Sequence, residues 1–207
     1  MPVARHLRCG ACHPPLISAI DDGIVVGMSD PQMSTVSYLA TEETNHRREL
    51  VYGRLREPPA PFFSHQELVL RVAERLRAHV RLFGLGTVAI SPLDVILDAD
   101  RALVVQPDVL FVSAERRSII RNQVWGAPDL VVEVLSEWNA DYDRGDKLGW
   151  YRQYGVREYW IVDPFNQSVT VVDFTKGAPE TRVATGIGPV HSSVLPALNL
   201  TSFDLFA

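Results

Sequence analysis

Three apolar runs constrain this chain more than any other feature: TVAISPLDVIL from Thr87 to Leu97, LVVQPDVLFV from Leu103 to Val112, and PDLVVEVLS from Pro128 to Ser136. None approaches the roughly 18 residues that a membrane helix needs. Read as strands, they are apolar on both sides and need cover on both faces, which predicts a central sheet with helices packed against it. Pro92 interrupts the first. The third keeps a glutamate, Glu133, near its middle. An isolated buried carboxylate costs several kcal/mol unless something compensates it, so this strand needs a partner group or a metal ion there.

Flanking segments supply the cover. Ser64 is expected to open a helix as its N-cap, with Glu67 three residues on in a capping-box arrangement. Val69, Val72, Leu76, Val80 and Phe83 then recur at helical spacing, and Gly84 and Gly86 end it. A second helix is expected from Asp143 to about Tyr154, with Leu148, Tyr151 and Tyr154 on one face and Gly155 at its end. RELVYGRLRE, with one glycine at its centre, suggests two short strands or a bent one, and Glu115 to Asn122 a loop or short helix. REYWIV and SVTVVDF, joined by the turn-rich DPFNQ, suit a hairpin. HSSVLPALNLTSFDLF is expected to add a last short strand and an apolar tail.

The 207 residues, 46% hydrophobic and 22% charged, suit one globular domain. Up to about Asn45 the chain shows no sustained helical or strand period, and MSTVSYLA from Met33 looks more like the start of an ordered domain than the N-terminus does. A loosely attached extension is therefore expected over residues 1–32, with the domain over 33–207. No apolar segment follows Arg5 and Arg8 as a secretory signal requires, so the expected compartment is the cytoplasm, with no membrane partner. Cys9 and Cys12 are the only cysteines, which excludes a disulfide framework. They lie in CGACH, the pattern of c-type haem attachment, but that chemistry belongs to exported chains. Coincidence is the preferred reading and a terminal metal or redox clip the alternative. A net charge of −5 argues against a protein that coats nucleic acid, yet leaves room for a nuclease, whose carboxylate site is itself negative.

Asp129 and Glu133 share one face of their strand, but at about 3.3 Å per residue they stand roughly 13 Å apart, too far to share one ion. Asp108 is the better companion, since side chains from neighbouring strands about 5 Å apart can converge on one hard cation. Lys147, with Asp143 and Tyr151 at successive i, i+4 positions, can lean from its helix toward the strand. Two carboxylates and an amine so placed suit metal-assisted phosphodiester hydrolysis, in which the cation orients the attacking water and offsets charge in the transition state.

Pro107-Asp108-Val109, APDLVVEVLS, Asp146-Lys147-Leu148 with Tyr151, and GVREYWIVDP, in this order, resemble the Uma2 (DUF820) family of endonucleases. The resemblance extends back through RRELVYGRLRE and SHQELVLRVAERLRAH and forward to SSVLPALNL, covering roughly Met33 to the C-terminus. It implies a restriction-endonuclease-like α/β fold, a mixed central sheet flanked by helices, within the PD-(D/E)XK superfamily. In that superfamily a lysine stands two positions beyond the second acidic residue; here that position is Leu135, and the family resemblance moves the lysine to Lys147. It further implies Mg2+, with Mn2+ as a substitute, held by Asp108, Glu133 and the carbonyl of Val134. On this resemblance Lys147 is expected to position or activate water and DNA to be the substrate; cutting both strands needs two active sites, so a homodimer is expected, with the apolar tail as a contributor to its interface. A histidine at the place of His65 belongs to the same resemblance and suggests a supporting or substrate-contacting role.

Each residue also has a plainer reading. Asp108 can make a turn bond after Pro107, Glu133 can be a buried ion pair with an arginine, and Lys147 can pair with Asp143 on a surface. Asp94 can add an acidic group, though a structural role is favoured, and His65 can be a packed, hydrogen-bonded histidine. The four tryptophans default to core packing, since a base-stacking platform needs them on one exposed face. The rival function is a catalytically inactive nuclease fold that binds nucleic acid or protein.

Overall fold

A computed structural model of the chain describes residues 32–207. The extension expected over residues 1–32, with Cys9 and Cys12, lies outside the described residues but for Gln32. A short helix α1 (Thr35–Leu39) leads to strands β1 (Glu49–Val51) and β2 (Arg54–Arg56), the long helix α2 (Phe63–Phe83), then β3 (Gly86–Ile90), β4 (Val95–Asp98), β5 (Leu103–Val105) and β6 (Val109–Ser113). After a 3-10 helix (Ala114–Ile119) come β7 (Val124–Trp125), β8 (Leu130–Val134) and α3 (Ala140–Tyr142). A π-helical turn (Asp143–Lys147) carries α3 into α4 (Leu148–Tyr154). Strands β9 (Glu158–Asp163), β10 (Ser168–Asp173) and β11 (Glu180–Thr185) and helix α5 (Phe203–Phe206) complete the chain.

The strands form two mixed sheets, one in the order β11-β10-β9-β8-β6-β3 and one in the order β2-β1-β5-β4-β7. In the six-stranded sheet β8 and β9 run parallel and the other neighbours antiparallel. Two of the apolar runs are divided between the sheets. The run from Thr87 changes sheet around Pro92, and the expected continuous strand from Leu103 to Val112 is two strands, broken at Gln106-Pro107-Asp108. Proline has no N–H to give a ladder, so Pro107 marks the natural place to leave one sheet and enter the other. That break sets Asp108 immediately before β6 rather than on it.

Helix α2 lays Val69, Val72, Leu76 and Val80 against Val109, Phe111, Leu130, Val132 and Trp160 on one face of the six-stranded sheet. The opposite face, carrying Leu110, Val131 and Leu135, packs against Val95, Leu103 and Val105 of the second sheet and Tyr151 of α4. Strand β8 is thus covered on both sides, as its composition requires. Glu133, between Val132 and Val134, shares the face of Val131 and Leu135 and points toward α4.

Some local expectations are corrected. Helix α2 begins at Phe63, with Phe62 at the N-cap making no side-chain cap bond, so Ser64 is not the cap. The proline-rich segment before it delivers Phe62 in extended conformation, and the helix starts two residues earlier than expected. Glu67 pairs with Arg71 at 3.2 Å instead of closing a capping box. Gly84, in left-handed conformation, ends the helix as expected. Between β1 and β2, Tyr52 and Gly53 both have positive φ, the two-residue turn whose twist suits a hairpin. A Cβ on Gly53 would lie 2.7 Å from Cβ of Gln32. The last sheet strand is β11, an edge strand whose largely polar sequence hides it from a search for apolar runs. The C-terminal segment makes a bridge between Pro189 and Thr201 and then α5. Leu195, Leu200 and Leu205 are buried in the α2 core, so those side chains are not free to line a dimer interface.

Candidate active site

The break before β6 and the end of β8 bring the site together. The amide of Val134 donates to Asp108 Oδ2 at 2.8 Å, which fixes the carboxylate beside Glu133. Arg47, from the segment preceding β1, reaches between them. Its guanidinium donates to Asp108 Oδ1 at 2.7 Å, to Glu133 Oε2 at 3.1 Å and to the Gln106 carbonyl at 2.6 Å. His65, in the first turn of α2, holds Nε2 at 3.0 Å from the Val134 carbonyl and 3.5 Å from Asp108 Oδ2.

The other oxygen of Glu133, Oε1, accepts from Lys147 Nζ at 2.8 Å and from the Tyr151 hydroxyl at 2.7 Å. The widened turn of the π segment buries Asp143 and Lys147 together, 3.4 Å apart. Such single π turns inside helices recur at functional sites. Lys147 also meets Glu49 Oε1 at 3.2 Å. Glu49 accepts in turn from the Gln106 amide at 3.1 Å and the Tyr142 hydroxyl at 3.3 Å. Glu133 therefore has two cationic partners, Arg47 and Lys147, and the arginine ion pair that was its plainer reading is present.

These contacts spread the acidities apart. Burial pushes Asp108 up, but the Arg47 guanidinium, His65 and the Val134 amide outweigh it and hold the carboxyl down at about 2. Burial raises Glu133, and Asp108 and Glu49 add to this, so that Lys147 and Arg47 only partly offset the rise. Burial and the charge of Glu133 lift Asp143 to about 7. Burial would discharge Lys147, but Glu133, Glu49 and Asp143 keep it firmly charged. His65 loses basicity to burial and more than regains it from its hydrogen bond and charge interaction with Asp108.

A test follows from Asp108. Its folded pKa lies below the ordinary aspartate value near 3.9, so its contribution is complete above that pH and is lost as pH falls toward about 2. The contribution is on the order of 2 kcal/mol. Urea unfolding at a series of acid pH values should show a shallower loss of stability below about pH 4 in Asp108→Asn than in the parent.

Asp108, Arg47 and His65 line a cavity of about 310 Å³ open to solvent, while Glu133 and Lys147 lie behind Arg47 at 1% and 2% exposure. Among the described residues no cluster of three or more His, Cys, Asp or Glu side chains is arranged around one point for a metal. The donor set that converges on Arg47 is the carboxylates of Asp108 and Glu133 with the Gln106 carbonyl, all hard oxygens, while the Val134 carbonyl faces His65 Nε2. Mg2+ suits it, because that ion is commonly held by one or two carboxylates and keeps several waters. The guanidinium of Arg47 marks the point on which Asp108 and Glu133 converge and acts there as a stand-in cation. The residues fit the ion.

Among the candidates, Asp108, Glu133, Lys147 and His65 are brought together. Asp94 stands one residue further out, accepting from Tyr38 and Gln106 at 2.9 Å each, while Gln106 in turn contacts Glu49 and Arg47 through its backbone. Asp129 is elsewhere, bonded to the Ser113 amide and Arg157. Arg47 and Glu49 were missed by sequence reasoning. RELVYGRLRE carries five charged residues, two of them glutamates, at its two ends, so that no single glutamate in it stands out, and Arg47 is one of two adjacent arginines in a loop.

Three comparisons place the chain among known proteins. Among curated proteins none matches. A crystal structure from Anabaena variabilis, described as "a putative nuclease belonging to DUF820", superposes with a TM-score of 0.69 over 84% of this chain and 97% of that one, at 21% identity. At that identity the likeness is one of fold, and it confirms the expected nuclease-type architecture. Residues 35–201 match the family described as "Putative restriction endonuclease". With most of its length inside that match, the chain belongs to the Uma2 family.

Proposed function

We propose that this nuclease-family protein is a divalent-metal-dependent endonuclease that hydrolyses phosphodiester bonds of DNA, with Mg2+ as its ion and Mn2+ as a substitute. The observation that carries this reading is the meeting of Asp108 and Glu133, from two different strands' ends, within the span of one cationic group at the edge of a cleft. When bound, a divalent ion would supply a water of lowered pKa and offset negative charge in the transition state. Asp108 and Glu133 would hold it, with the Val134 carbonyl as a further oxygen. Asp108 stays anionic at working pH because of its low pKa.

Lys147 is placed for positioning. Its ammonium and the Tyr151 hydroxyl fix Glu133 Oε1, leaving Oε2 to Arg47 at the cleft wall, and its charge opposes the rise in pKa that burial gives Glu133. Arg47 and His65, at the cleft wall, offer cationic and hydrogen-bonding contacts to a phosphate. No helix among the described residues is long and apolar enough to cross a membrane. Duplex cleavage by one such centre per chain calls for two chains, so a homodimer is part of the proposal.

Purified protein incubated with supercoiled plasmid and Mg2+ or Mn2+ should nick or linearise it. Glu133→Ala and Lys147→Ala should each reduce the rate by at least about 100-fold, the scale of losing one preorganised electrostatic group. Equal cutting by all three proteins would mean a different site. Binding of DNA without any cutting by the parent protein would favour the catalytically inactive module.

A further inference from the structure

Beside the cleft at Asp108 lies a second cavity, of about 470 Å³, within the size range of small-molecule sites. Its walls include Phe62, Trp138 and Phe165, which are 72%, 75% and 60% exposed. These rings come from three separate segments: the lead into α2, the loop after β8 and the turn after β9. Aromatic area left in solvent and converging from unrelated parts of the chain marks a binding surface more than incomplete packing. Two of the remaining tryptophans, Trp150 and Trp160, are in the core as their default reading holds, but Trp138 is not.

We propose that this cavity receives an unpaired nucleobase of the nucleic acid whose backbone lies at Asp108 and Glu133; the inference rests on the nuclease reading and adds the form of substrate to it. Arg47 and His65 line both cavities, so a chain whose phosphate lies at the first can place the adjoining base in the second. The shared wall is cationic, and the far walls are aromatic with one carboxylate, Glu137. Ser64, Ser136 and Asn139 on the lining offer donors and acceptors to a base edge. A base inside a duplex has both faces covered by its neighbours. Only an unstacked base, in a bulge, gap, overhang or single strand, can offer a face to these rings.

Fluorescence anisotropy on the full chain tests this, with Glu133→Gln as the non-cutting background and Mg2+ present. Three labelled ligands are compared: a fully paired duplex, the same duplex with one bulged base, and the bulged duplex with an abasic residue in place of that base. Stacking of one base on aromatic rings should make the bulged ligand bind about 5- to 150-fold tighter than the duplex, and the abasic ligand should lose the gain. Trp138→Ala and Phe165→Ala should remove the gain while leaving duplex binding unchanged, and Trp138→Phe should keep most of it. Equal affinity for all three ligands, or a gain untouched by Trp138→Ala, overturns the proposal. So does conversion of a dimer to a monomer by Trp138→Ala in sedimentation, which would assign the rings to a second copy of the chain. Where plasmid cutting still depends on Glu133, such failures concern the cavity alone. Where neither cutting nor DNA binding is seen, the nuclease reading fails and takes this one with it.

Discussion

Lys147→Met should cost the folded state about 3–5 kcal/mol near neutral pH, the scale of removing one partner from a buried ion pair. Its ammonium is 2% exposed and lies within 3.4 Å of oxygens of Glu49, Glu133 and Asp143. Methionine fills much of the same space and leaves those carboxylates facing one another without that cation. The sign of the pH dependence separates this from a packing defect. Without Lys147 the folded pKa values of Glu49, Glu133 and Asp143 all move up, and those of Glu133 and Asp143 lie above their unfolded values already in the parent. A raised carboxyl gives stability that is complete below the unfolded pKa and is lost as pH rises through the folded one. The deficit should therefore shrink as pH is lowered from about 8 to 5, the range in which raised carboxyls take up protons. Chemical denaturation of parent and variant across that range reads it directly; a deficit independent of pH would show that the lost charge is not the cause.

Arg47→Met should have an effect of similar size that a metal ion can reverse. Asp108 and Glu133 would face each other across the space that the guanidinium occupies, and the low pKa of Asp108 would rise. In a chelator the variant should melt well below the parent. Added Mn2+ should raise its melting temperature by more than it raises that of the parent, because the ion takes over the bridging role and binds the folded state alone. Melting curves over a Mn2+ series measure the difference. Equal insensitivity of both proteins to Mn2+ would remove Asp108 and Glu133 from consideration as metal ligands.

Much of this site was legible because a carboxylate in a strand such as VVEV is costly without compensation, so Glu133 advertises a partner. Asp108 was found from the spacing of adjacent strands, and Lys147 from i, i+4 spacing on a helix. The amine reaches its target even though the helix is wound through a π turn that spacing alone does not reveal. Arg47 and Glu49 were not legible for a common reason. Both come from the neighbourhood of a hairpin in the other sheet, and nothing local to RRELVYGRLRE says that its charged residues end up beside a strand more than 80 positions away. The two-sheet division was hidden similarly: a run that is apolar throughout looks continuous until Pro92 or Pro107 is recognised as a change of sheet. The helix start moved because an extended, proline-led approach to Phe62 outweighed the preference of Ser64 for the cap.

The order of the charged groups along the chain has a temporal meaning. Glu49 lies in the early hairpin and its cation, Lys147, follows roughly 100 residues later, an interval of about 5–20 s during synthesis. For that interval Glu49 has the guanidinium of Arg56, 3.5 Å away in the same hairpin, but not the buried ammonium, and the pocket has no anchored Glu133. In the proposed nuclease the site is completed late, when the α3–α4 segment brings Lys147 and Tyr151 to Glu133.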